Sequence, residues 1–133
     1  MEEAFVTYLL ADSATSALVS NRINWGVRPQ GSSLPAVVLQ RISGNFNYET
    51  NGPSGLVESR LQIETYAATY ASAQAAMRAI VSAVSGLRTT QDNIKFNGCF
   101  VNSQSDAFER SNDGASKYHR VILDLTIWHS LAS

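Results

Sequence analysis

Two histidines, one cysteine and eleven carboxylates are the groups in this 133-residue chain best suited to chemistry, and their spacing keeps them apart. His119 and His129 share strand parity, but the extended chain between them spans roughly 30 Å, too far to share a metal. Each reads as a strand-end residue. Glu58 and Glu64 lie on one strand face roughly 20 Å apart, out of reach for paired acid–base work. No Gly-rich loop precedes a helix, and neither a paired cysteine nor a His-x-x-x-His spacing occurs. Serines are plentiful, yet none sits in Gly-x-Ser-x-Gly and no neighbouring His activates one. Cys99 lies in an apolar, strand-like stretch with no cation or motif around it, so it reads as a small hydrophobe in a reducing cytoplasm. The expectation is a protein without catalytic residues, metal ligands or cofactor, and not an enzyme.

The elements that position these groups are legible from periodicity. Residues 57–65 alternate strictly: Val57, Ser59, Leu61, Ile63 and Thr65 on one face, Glu58, Arg60, Gln62 and Glu64 on the other. That period of two marks a half-buried antiparallel strand. The wet face is amphoteric rather than basic, which suits protein contacts better than phosphates. Residues 36–43 predict another strand, as do 94–101, with Asn97-Gly98 as a bulge inside it. In 117–129, Val121, Leu123, Leu125 and Ile127 alternate against Arg120, Ile122, Asp124, Thr126 and Trp128.

A helix is predicted over 71–85, with Thr69 or Ser72 as cap and Gly86 at the left-handed C-terminal position. Its buried stripe is Ala73, Met77, Ile80, Val81 and Val84. The N-terminal stretch places Phe5, Val6, Leu9 and Leu10 on one helical face. Asp12 or Ser13 caps a second short helix carrying Ala14, Ala17, Leu18 and Val19. Residues 23–35 read as an irregular crossing, with Trp25 anchored on a satellite core. The order α-β-β-α-β-β predicts an α+β fold, a four-stranded, mainly antiparallel sheet with helices packed on one face. The length and the 44% apolar content fit one domain over residues 1–133.

A net charge of −1 and a pI near 6.1 leave no basic footprint for nucleic acid or anionic lipid. Glu2 and Glu3 stand where a signal peptide needs positive charge, and Asp12 interrupts the apolar run too early for a membrane span. What the chain does possess is two long polar stretches, 44–56 and 104–116, read as loops. Connections of this length are uncommon in a small domain and are usually functional or disordered. Phe46, Tyr48 and Glu49 in the first, and Phe108, Glu109 and Arg110 in the second, have the composition of interface hot spots and are the candidate partner contacts. The bland alternative is that the rings fold back over the sheet edge as lids.

One ordered set of segments resembles a known family: Leu-Pro-Ala-Val-Val-Leu-Gln-Arg-Ile-Ser at 34–43, the Gly-Pro-Ser-Gly-Leu-Val turn at 52–57, and Leu-Gln-Ile-Glu-Thr-Tyr at 61–66 running into an Ala-rich helix. With the terminal strand 119–129, they resemble the small tail completion or tail terminator proteins of long-tailed bacteriophages and phage-derived gene transfer agents. The likeness covers nearly the whole chain, and its motifs are structural. It implies a virion protein made in the bacterial cytoplasm that forms a homohexameric ring on the head-proximal end of the tail. The implied partners are further copies of itself, the tail tube protein and a head-side connector or stopper, with no membrane. DNA passes through the lumen without sequence recognition. Two other readings stand beside it: a stopper ring of the same joint, and an α+β enzyme with a small-molecule pocket between helix and sheet.

Overall fold

In a computed structural model, the structure describes residues 2–26, 35–49, 52–91, 93–110 and 117–131. Alternation of apolar and polar residues builds its centre. β3 (Gly52–Ala67) and β6 (Lys117–Leu131) pair antiparallel, with Leu61 opposite Leu125 and Ile63 opposite Leu123. These four, with Val121 and Ile127, are buried almost completely. β2 (Ala36–Glu49) adds to the free side of β3, and β5 (Ile94–Arg110) to the free side of β6, both antiparallel.

Two three-residue strands complete the sheet. β1 (Ile23–Trp25) lies parallel to β2, and β4 (Thr89–Gln91) antiparallel to β5. The order is β1-β2-β3-β6-β5-β4, a mixed six-stranded sheet curled as a half-barrel. The α+β class stands, but the expected four strands become six. A three-residue strand is too short for a period of two to show, which is why β1 read as irregular chain.

The helices pack on one face. In α3 (Tyr70–Val84), Thr69 caps the start by accepting a hydrogen bond from the Ser72 N–H at 3.1 Å. Gly86 follows with φ of +73°, and its N–H donates to the Cys99 carbonyl at 2.9 Å, tying the helix end to β5. Ala73, Met77, Ile80 and Val84 are buried as the spacing predicts. Space between α3 and the sheet is therefore filled by aliphatic side chains, where the enzyme reading requires a polar pocket.

α1 (Glu2–Ala11) buries Ala4, Phe5 and Leu9, with its two glutamates at the positive end of the helix dipole. In α2 (Ser13–Val19), the Asp12 carboxylate accepts from the Thr15 N–H at 3.0 Å and hydroxyl at 2.7 Å. Asp12 is thus the cap, one of the two residues expected there; Thr15 and Val19 face inward while Ala14, Ala17 and Leu18 are exposed. Trp25 is half-buried against the core, its Nε1–H donating to the Glu2 carbonyl at 3.1 Å.

The two stretches read as loops are mostly strand. β2 and β3 form one hairpin with Glu49 opposite Gly52, and β5 and β6 form another with Arg110 opposite Lys117. Residues 111–116, at the end of the second hairpin, lie outside the described residues. These stretches carry no apolar alternation, so their composition is that of a loop even though the backbone is paired.

Candidate functional site

Across the sheet, the fold brings together one pair of groups that sequence separation had hidden. Ser59 on β3 and His129 on β6 both point into the apolar face, and Ser59 Oγ lies 2.8 Å from His129 Nε2. Ser59 is fully buried and His129 nearly so. The sequence signal was available: each is a polar residue on a strand face made mostly of Leu, Ile and Val. Burial pushes the imidazole down to about 4, and the Arg41 cation adds to that, so the ring is neutral at pH 7.

A hydrolytic Ser–His pair needs an acid to orient the ring and an accessible nucleophile. Among the described residues, no carboxylate hydrogen-bonds this ring, and Glu2, whose charge acts on it, is paired with Arg41. The pair therefore fastens β3 to β6. His119 stands at the other end of β6, opposite Ala67, with its ring edge-on to Tyr70 at 6.1 Å. The two histidines are at opposite ends of the sheet, as their spacing required.

Among the described residues, no group of three or more His, Cys, Asp or Glu side chains is placed to hold a metal. Nor is any helix long and apolar enough to cross a membrane. Cys99 is buried, and burial pushes its thiol up to about 12, which fits a packing role.

The sheet face away from the helices carries a polar lattice. Asp124 accepts from Arg60 Nε at 3.0 and 3.1 Å and also from Arg60 Nη2, a forked pair that holds the carboxyl below the usual range. Asn102 Nδ2 donates to Thr126 Oγ1 at 2.9 Å. Further along, the Tyr66 hydroxyl donates to Glu64 at 2.6 Å, Gln62 donates to the same carboxylate, and the Arg120 guanidinium stands 5.9 Å from the Tyr66 ring centre. Burial, and then the bond to Glu64, raise the Tyr66 phenol. These bonds cross-link β3, β5 and β6 and give the face fixed, directional donors and acceptors.

Apolar surface breaks this lattice at the sheet margins. Phe100 is 58% exposed, and its ring lies over Gly98, where an added Cβ would meet it at 3.2 Å. Ile42, at the β2 bulge between Arg41 and Ser43, is 49% exposed. Neither was among the sequence candidates, because Phe100 was counted into a buried strand and Ile42 into its apolar run.

The six sequence candidates separate into two groups. Phe46, Tyr48 and Glu49 lie on the β2–β3 hairpin, at the end where Val57 faces His129. Phe108, Glu109 and Arg110 lie on the β5–β6 hairpin, at the opposite end, where His119 faces Ala67. Their backbone register places them there; their side chains lie outside what the structure describes. No single surface of one copy gathers all six.

Two paired arms, a polar lattice and apolar margins are the surfaces that the described residues offer for contacts. The family of Tail completion protein gp17 matches residues 3–130, and the chain belongs to that family. It is thus a structural virion protein of the tail completion class, a membership that implies no enzymatic role. In fold it is similar to a chain in the virion of a native gene transfer agent particle, with a TM-score of 0.69 at 17% identity over 98% of this chain and 94% of that one. Comparison with curated proteins finds no match.

Proposed function

We propose that the protein acts as one domain and forms a ring, with six copies expected, at the head-proximal end of the tail. There it ends tube polymerisation and joins tail to head. The observation that carries this reading is the family match across residues 3–130, because tail completion names the closing step of tail assembly. The fold supports it physically. Its two hairpin ends lie at opposite ends of the sheet, so one copy can touch the tube protein on one side and a head-side connector or stopper on the other.

A subunit with different surfaces on its two flanks makes head-to-tail contacts, which close into a ring when the rotation closes. A net charge of −1 suits a collar through which DNA slides, since tight phosphate neutralisation would hold the strand. The test is assembly without this protein, with electron microscopy of the products and mass measurement on complete tails. The expected result is tails of uncontrolled length, or tails that fail to join heads, and several copies at one tail end in the complete particle. One copy per tail overturns the ring. Purified protein that caps filled heads but not tubes assigns it to the stopper position instead.

A further inference from the structure

The two outer edges of the sheet are where the fold leaves main-chain groups without a strand. β1 covers β2 only at Val37, Val38 and Leu39, and β4 covers β5 only from Ile94 to Phe96. Among the described residues, no strand pairs with the outer edge of β2 after Leu39 or of β5 after Phe96. Exposure agrees: residues 41–44 and 100–106 are open one after another, on both faces. Ile42, Phe100 and Val101, three of the five exposed large hydrophobics among the described residues, lie on these two edges. A long open edge bearing large apolar side chains is a template for another chain.

We propose that the free edge of β2 in one copy pairs with the free edge of β5 in the next, so that the ring is closed by a continuous antiparallel sheet. This rests on the ring reading above and names its interface. Direction is the first argument. β2, β3, β6 and β5 alternate along the sheet, so a copy related by rotation about an axis running with the strands sets its β5 antiparallel to the first copy's β2. An odd number of long strands would have broken that alternation.

Offset is the second argument. Asn45, near the middle of the open β2 stretch, is level with Glu58 of β3, whereas Ser105, a little past the middle of the open β5 stretch, is level with Ile122 and hence with Glu64. Those levels differ by about 20 Å along the strands, and four strands are about 19 Å wide. The slope is about 45°, the tilt that strands adopt in closed barrels. Pure rotation with tilted strands thus brings the two open stretches side by side.

Facing is the third. In the register that opposes Asn45 to Ser105 and Phe46 to Gln104, each pair shares a sheet face by its position, the first on the polar side and the second on the helix side. A second copy of this chain satisfies direction, offset and facing together.

The test is disulfide trapping in assembled tails. In a Cys99→Ala background, Asn45→Cys combined with Ser105→Cys should give, on oxidation, a ladder of covalent oligomers ending at the ring, while each single cysteine stays monomeric. Ser43→Cys with Ala107→Cys probes the same register should the first pair fail to fold. Tails that keep several copies by mass, yet show no cross-link in either pair beyond the singles, overturn the edge pairing and leave the ring intact. A disulfide-linked adduct to a tube cysteine at either edge overturns it too, assigning that edge to the tube. A single copy per tail overturns the ring itself.

Discussion

The buried histidine makes the free protein sensitive to mild acid. An unfolded imidazole takes up its proton near 6.5, whereas burial beside Ser59 holds His129 at about 4. Between those values the unfolded chain binds more protons than the folded one, so stability falls as pH falls, with a limit of about 3.4 kcal/mol. Going from pH 7 to pH 5 costs about 2 kcal/mol of that, a large share of the stability of a domain this size. Asp124 and Glu2, whose carboxyls are held low in the fold, lose their contribution only nearer their ordinary range, which leaves the window between 7 and 5 to imidazoles. Urea unfolding should show the midpoint dropping by about 1 M across that window, taking a slope near 2 kcal/mol per molar. His129→Gln keeps a side-chain amide near Ser59 but has no proton to gain, so its midpoint should be nearly flat with pH. If His129→Gln and the parent lose stability in parallel, the buried imidazole is not the acid-sensitive group and the argument fails.

Other outcomes follow from the same packing. Leu61 is fully buried between Leu125 and the helix layer, so Leu61→Ala should cost about 2–5 kcal/mol by thermal or urea denaturation; a stable variant would place this face outside the core. Gly86 holds φ of +73° with no atom near the position of a Cβ, so Gly86→Ala should cost about 1 kcal/mol through backbone strain alone; an unchanged melting temperature would refute the left-handed cap. Phe46, Tyr48 and Phe108, all replaced by Ser, should leave folding intact by circular dichroism while joined particles disappear. Loss of folding would make these rings core, and normal particles would remove the hairpin ends from docking.

Where alternation had a core to face, the sequence reading and the structure agree. Leu61, Ile63, Leu123 and Leu125 lie on one face, Thr69 caps α3, Gly86 ends it with positive φ, and the register shift between Phe96 and Gly98 marks the expected bulge. Agreement stops where local sequence carries no periodic signal. Three residues cannot display a period, so β1 and β4 were invisible. Nor does a polar hairpin arm differ from a loop in composition, which concealed the ends of both hairpins. The Ser59–His129 bond needed the register of β3 against β6, a long-range fact, although the parity of each residue was already readable. The Asp12 cap of α2 was readable because an N-cap is a local signal.

The polar arms also locate the source of order in this fold. β2 and β3 run on past the point where β6 supports them, from Val57 opposite His129 out to Glu49 opposite Gly52. Two strands without a third are marginal in water, and backbone ordering costs about 1–2 kcal/mol per residue. Among the residues whose burial is described, the core ends near Ser59 and His129. A neighbouring strand can offset that cost, through main-chain hydrogen bonds along β2 and burial of Ile42 against an adjacent copy. The composition that made these segments resemble loops is then compatible with the proposed edge pairing, in which their paired backbone is extended by the next subunit.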